Sequence, residues 1–307
     1  MSKQDFDKLV ERAMKQMPGS SMMRPVVEKE ILHYDIFNAL NSEKILDSLV
    51  FQGGTSLRLC RGSSRFSEDL DFVGGREFKL EHMSRIKECI EAHIGERYGL
   101  NVRVRPPQEQ RVNEKKQKVS VQSWMVTVET RPENSALPSQ KIKIEIANTV
   151  SYTKEPVPLK INYDFLDFSQ TIAVPTESVS EVLADKIVAF PCSLIDKNGN
   201  AAAAHSAQIR YRDIWDMSWL LKNGASLIPE FVNSKINNDY GISRFDFLLE
   251  NAIQRTQEIV SSKQFVDQMS RFIDAESMQK SVKDSAFVKQ LEIDITSLLS
   301  NMQLHLK

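Results

Sequence analysis

Apolar residues recur at helical spacing over residues 3–17, 25–47 and 81–97, and they run together or alternate at strand length near 48–52, 69–73, 100–105, 119–130, 141–147 and 171–174. The sharpest alternation is KIKIEIAN, residues 141–148. It puts Ile142, Ile144 and Ile146 on one face and Lys141, Lys143 and Glu145 on the other, which predicts a half-buried strand. From Glu177 onward nearly everything reads as helix, including residues 244–261 and 285–304. The predicted class is α+β, a mixed sheet with flanking helices followed by a helical C-terminal domain. The boundary falls near residue 174, giving domains 1–174 and 175–307.

Two glycines punctuate the first strand-to-helix junction. Gly53 and Gly54 follow the apolar run Leu49, Val50, Phe51 and precede Thr55, which reads as the N-cap of a short helix through Ser56, Leu57, Arg58, Leu59 and Cys60 that Gly62 ends. Glycine lets a backbone approach a phosphate closely, and first-turn N–H groups with the helix dipole favour an anion there. Alone, such a Gly-Gly-Thr-Ser stretch describes an ordinary turn equally well.

The carboxylates downstream change that reading. Asp69 and Asp71 stand at alternate positions of the run Leu70, Asp71, Phe72, Val73, so both point to one face and can reach one metal ion. Two like charges this close repel unless a cation neutralises them, and hard oxygen donors select Mg²⁺ or Mn²⁺ over zinc. A solvated strand end is the alternative for the pair taken by itself. Joined to the glycine turn, the pair forms a phosphate cradle facing its metal, the working half of a polymerase-type nucleotidyl transfer site.

The pattern Gly-Gly-Thr-x-Leu-Arg, then Arg-x-Ser-x-Asp-Leu-Asp-Phe, is carried here by Gly53, Gly54, Thr55, Leu57, Arg58, Arg65, Ser67, Asp69, Leu70, Asp71 and Phe72. It resembles the first motif of the AbiEii/AbiGii-type nucleotidyltransferase toxins, a family that includes the MenT toxins of mycobacteria. The resemblance spans roughly residues 25–225 through three further segments. In the first, residues 141–148, Glu145 is the natural third metal carboxylate if its strand lies beside Asp71; the alternative is a salt-bridged face next to two lysines.

The second segment is PTESVSEVLADKIVAF, residues 175–190. Ser178 and Glu181 make a capping box, and Lys186 sits in the apolar stripe of Val182, Ile187 and Phe190, where its ammonium must snorkel out or meet an anion. The resemblance makes Lys186 a nucleotide phosphate contact, with Asp185 standing where the family more usually has glutamate. The third is IRYRDIWDMSWLLKNG, residues 209–224, a helix stopped by Gly224. Its acids can form ion pairs, Arg210 with Asp213 and Arg212 with Asp216. The string Arg-Asp-Ile-Trp-Asp-Met is nevertheless similar to the family's Arg-Asp-Leu-Tyr-Asp-Leu, which marks Asp213 as an active-site residue ahead of Asp216.

The resemblance therefore implies transfer of a nucleoside monophosphate from a nucleoside triphosphate to a hydroxyl. Asp69, Asp71, Lys186 and Asp213 are the catalytic candidates, and Gly53, Gly54, Thr55, Ser56, Arg65, Ser67 and Lys186 bind the nucleotide. Mg²⁺ or Mn²⁺ is the cofactor, held by Asp69, Asp71 and Glu145. It further implies tRNA, at its 3′ end, as acceptor and a cognate antitoxin encoded nearby. The active site is expected between the two domains. A small-molecule or protein hydroxyl is an alternative acceptor, and a catalytically idle binding module is an alternative of another class.

Composition narrows the partners. Forty basic against forty-one acidic residues leave a formal charge of −1, so nucleic-acid affinity has to come from a local patch. The segment at residues 101–118 offers one: Arg103 and Arg105, then Arg111, Lys115, Lys116 and Lys118, a basic stretch that is either solvated or tracks RNA. Cys60, Cys89 and Cys192 are odd in number and lack metal-ligand spacing, which points to free thiols in a reducing compartment. With no apolar stretch near membrane-spanning length, the expected location is the cytoplasm.

Overall fold

The computed structural model describes residues 4–16, 23–107, 119–132, 138–166, 171–196, 199–203, 206 and 208–306. Arg111, Lys115, Lys116 and Lys118 lie outside the described residues. The chain divides into two compact units, Met1–Glu177 and Ser178–Lys307.

The first unit opens with α1 (Phe6–Lys15), which Asp5 caps by accepting the Lys8 N–H. The following helix, α2 (Arg24–Ser42), buries Val27, Ile31, Tyr34, Phe37 and Leu40 completely. It stops well short of residue 47. The run Asn41, Ser42, Glu43 offers no further apolar stripe, Lys44 turns left-handed at φ 57°, and a 3₁₀ turn over Ile45–Ser48 leads out. The sheet and its remaining helices then follow as β1 (Val50–Gln52), α3 (Gly53–Ser56), β2 (Leu70–Val73), α4 (Ile86–Tyr98), β3 (Asn101–Arg105), β4 (Val121–Glu129), β5 (Gln140–Ala147), β6 (Glu155–Pro158) and β7 (Ala173–Thr176).

These seven strands form one mixed sheet in the order β3-β4-β5-β2-β1-β7-β6. The β2–β5 and β1–β7 pairs are parallel and the rest antiparallel. The strand β6 had no sequence signal because Pro156 and Pro158 remove two ladder donors. Such a strand belongs at a sheet edge, and β6 is at one.

The two faces of the sheet differ in kind. Phe51, Leu70, Phe72, Trp124, Val126, Ile142, Ile144 and Ile146 are buried on the helix side, where the Phe37 ring of α2 lies 5.0 Å from Phe51 and 6.1 Å from Phe72. The opposite face carries Asp71, Glu145, Lys143, Lys141, Arg103 and Arg105, all partly or fully exposed. The two-residue period of the strands thus presents the charged chemistry on the face away from α2.

The described residues of the second unit are mainly helical: α5 (Val179–Ser193), α6 (Tyr211–Lys222), α7 (Pro229–Ser234), α8 (Phe245–Val260), α9 (Lys263–Met269), α10 (Ala275–Gln279) and α11 (Ser285–Leu304), with an isolated β-bridge between Ile195 and Ala201. Ser178, Ser262, Asp274 and Asp284 each accept a first-turn N–H. Gly224, at φ +88°, stops α6, and Ala225 donates back to the Leu220 carbonyl at 3.0 Å in a Schellman closure. Among the described residues no helix is long and apolar enough to cross a membrane.

Candidate active site

The glycine turn and the aspartates meet in the first unit. Gln52 is extended and pairs in register with Asp71, and the chain then swings through Gly53 at φ +77° into α3. A Cβ on Gly53 would stand 2.7 Å from Asp71 Oδ2, and one on Gly54 would meet the Arg65 guanidinium and, at 3.1 Å, Ser67 Oγ. Only glycine lets the turn approach the carboxylate this closely.

The helical turn opens at Gly53, so Thr55 is not its N-cap. The Thr55 hydroxyl donates instead to the Asp69 carbonyl, and the Ser56 hydroxyl to the Gly53 carbonyl at 2.8 Å. Both side chains are buried, and what the turn presents to an anion is backbone N–H. After Ser56 the helix widens into a π-turn over Leu57–Arg61, and Gly62 closes it at φ +85° with Ser63 donating to Leu57.

Pairing order, which periodicity alone leaves open, is settled by the sheet. β2 lies parallel to β5 with Asp71 opposite Glu145, so the two carboxylates are cross-strand neighbours on the open face. Lys143 comes one step earlier, beside Asp69, and its ammonium lies 3.3 Å from Glu145 Oε1. Burial pulls that ammonium down, but Glu145, Asp69 and Asp71 outweigh it and hold Lys143 above the ordinary lysine value. Glu145 is therefore both the neighbour of Asp71 and the partner of a lysine. Lys143 itself drew notice in the sequence only as a salt-bridge candidate.

Buried ion pairs fix the loop between the glycines and the aspartates. Arg58 grips Glu30 of α2 with two N–H donors, at 2.7 and 3.1 Å, while its Nη1 donates to Ser63 and Ser64 and its guanidinium lies 4.2 Å from the Phe66 ring centroid. Lys29 reaches Glu68 at 2.6 Å, and His33 Nε2 is 3.0 Å from the Glu68 carbonyl. Burial lowers the His33 imidazole to about 4, so the ring is neutral in this setting. Arg65, 2 % exposed, donates to the Phe66 carbonyl at 2.7 Å and sets its charge directly behind the glycine turn. Glu30 carries no sequence motif. An acid inside the apolar stripe of a helix was its only signal.

The second unit gathers the later candidates into one cluster. Lys186 on α5 is 6 % exposed and meets anions, with Nζ 2.7 Å from Asp213 and 3.2 Å from Asp216. Arg210 donates to the other Asp213 oxygen at 2.7 Å, the i,i+3 pair that the spacing allows. Burial raises the Asp213 carboxyl, but Lys186 and Arg210 overcome that and hold it at about 2. The Arg212 guanidinium stacks 4.6 Å from the Phe272 ring centroid. One turn along α5, Glu181 and Asp185 both reach Lys235, at 3.2 and 2.7 Å, so the Glu181 carboxylate serves an ion pair as well as lying in the first turn that Ser178 caps.

Among the described residues no three Asp, Glu, His or Cys side chains form a ready-made metal cage. The donor chemistry nonetheless fits a hard divalent cation. Asp69 and Asp71 would offer oxygen ligands at strand spacing beside the glycine turn, and Mg²⁺ is ordinarily held by one or two carboxylates together with substrate phosphates. The three cysteines are free thiols, with burial pushing Cys60 to about 12 and Cys89 and Cys192 to about 11, which leaves them protonated and inert.

The nucleotidyltransferase toxin MenT4 of Mycobacterium tuberculosis superimposes with a TM-score of 0.51 at 17% identity, over 99% of this chain and 99% of that one, and so shares the fold. JHP933 of Helicobacter pylori is also similar, at 17% identity over 92% of this chain and 93% of the other, with a TM-score of 0.44. No curated protein matches the chain. The family model for the AbiEii nucleotidyl transferase toxin of type IV toxin–antitoxin systems matches residues 36–292. That match takes in the glycine turn, the aspartates and the Lys186–Asp213 cluster, and the chain belongs to this family of nucleotidyltransferases.

Proposed function

We propose that this nucleotidyltransferase moves a nucleoside monophosphate from a nucleoside triphosphate to a hydroxyl at the 3′ end of tRNA, and that a cognate antitoxin restrains it. The observation that carries the chemistry is the meeting of Gly53 with Asp71, 2.7 Å from glycine's absent Cβ to the carboxylate, with Glu145 in register beside it. The acceptor oxygen attacks the α-phosphorus, the bond to the β-phosphate oxygen breaks, pyrophosphate leaves, and the hydroxyl proton passes to solvent.

Each residue has a physical task in this scheme. The backbone N–H groups at the Gly53–Ser56 turn hold the phosphates, and the buried Arg65 adds positive potential behind them. Asp69 and Asp71 would hold the divalent cation, Mg²⁺ or Mn²⁺, which when bound would neutralise the phosphates and acidify the attacking hydroxyl. Asp213, held at about 2, is too weak a base to take a proton near neutral pH, so its proposed role is to orient the acceptor. The 6 % exposure of Lys186 favours positioning Asp213 over direct phosphate contact.

The test is incubation of the protein with each α-labelled nucleoside triphosphate and total cellular RNA, in Mg²⁺ and in chelator. One triphosphate should label RNA of tRNA size, with the label lost in chelator. Label appearing only on protein or on small molecules would overturn the tRNA reading while leaving nucleotidyl transfer intact.

A further inference from the structure

The open face of β3, β4 and β5 carries a ladder of cations that the nucleotide site does not use. Register places Lys143, Met125 and Arg105 in one cross-strand row and Lys141, Thr127 and Arg103 in the next. Arg103, Arg105 and Lys141 are exposed, and the row beyond Lys143 is Ser123, Glu145 and Asp71. Two concavities cross this face, one lined by Arg103, Thr127 and Lys141 and the other by Pro107, Gln122 and Ser123. They share Arg105 and Met125 and so make one trough. The trough starts at Asn101 and Glu129 and reaches Ser123, which stands in the same cross-strand row as Glu145 and Asp71, one strand from the first and two from the second.

We propose that this trough is the track for a single-stranded RNA acceptor, gripped through its phosphates and delivered end-first to Asp69 and Asp71. The inference rests on the RNA acceptor proposed above. Charge complementarity selects a polyanion, and a trough that runs up to the transfer site selects the polymer whose end is modified over an acidic protein surface. Among the described residues of these strands the one aromatic, Trp124, is buried on the other face, so bases find no stacking platform here. Recognition is therefore of backbone and indifferent to sequence.

Neutralising Arg103, Arg105 and Lys141 together (R103Q, R105Q, K141Q) tests this, since none of the three belongs to the nucleotide site. Binding of fluorescent single-stranded RNA is followed by anisotropy across a salt series, beside thermal melting. Single strands contribute a slope of about −0.7 per neutralised phosphate, so the triple variant should bind at least tenfold more weakly at low salt with a log–log slope shallower by about 2. Wild type should bind oligo-U and oligo-A alike. If the triple variant fails to fold, the single variants R103Q and K141Q should each flatten the slope by about 0.7. An unchanged slope overturns the track and leaves the RNA acceptor standing. Wild-type protein that binds nucleoside triphosphate but no RNA removes both. Tighter binding of poly-glutamate than of RNA at equal charge would identify the face as a protein-docking surface and also overturn the track.

Discussion

At the scale of single residues, the two glycines and the buried ion pairs make the sharpest demands. Gly53→Ala places a Cβ 2.7 Å from Asp71 Oδ2 and asks an alanine to hold φ +77°, which costs about 1–2 kcal/mol in backbone strain. Urea unfolding should register that loss, and nucleotidyl transfer should fall much further because the turn must back away from the carboxylate. Lys186 was expected either to snorkel or to meet an anion, and it meets Asp213 and Asp216. Lys186→Met therefore takes the shared cation from two buried carboxylates, with Arg210 still at Asp213, and should cost about 3 kcal/mol, whereas Lys186→Arg, which keeps the charge, should recover part of it. The depressed Asp213 carboxyl makes a pH prediction with a definite sign. Its folded value of about 2 lies below the ordinary 3.8, so its contribution is fully present above 3.8 and is lost as pH falls toward 2. Asp213→Asn should remove that portion of the acid-induced loss of stability, read as a smaller drop in unfolding free energy between pH 6 and pH 3.

Elements divide into those that local pattern specifies and those that only the assembled sheet does. The alternation of residues 141–147 and the helical spacing of residues 244–261 and 285–304 sufficed to place those elements within a residue or two, because burial on one side is the dominant local constraint. β6 was invisible because proline removes the usual strand signature, and α2 was read too long because Ile45 and Leu46 continue the apolar count past the point where Lys44 turns the chain. In the candidate site, Asp69, Asp71 and the glycines were legible because their spacing in sequence is their spacing in space. Glu30 and the Asp71–Glu145 pairing were not, since both depend on which distant segments come together. Arg58 shows the difference. In the sequence it is only a member of the glycine motif, and its two-pronged grip on Glu30 ties α2 to the loop before the aspartates. Arg58→Lys keeps the charge but loses the fork, and should lower stability by about 1–3 kcal/mol in denaturant titration.

For the whole molecule, the account is that an otherwise near-neutral chain concentrates its function on one face of one sheet, where a backbone phosphate turn, two aspartates and a cationic trough adjoin. The measurement that tests the central claim most directly is nucleotidyl transfer by Asp69→Asn and Asp71→Asn, each beside its thermal melting curve. Both aspartates sit at the open face, so replacing carboxylate by amide should leave the melting temperature within a few degrees of wild type while transfer falls at least a hundredfold. Transfer near the wild-type rate in either folded variant, at saturating Mg²⁺ and nucleotide, would contradict the account.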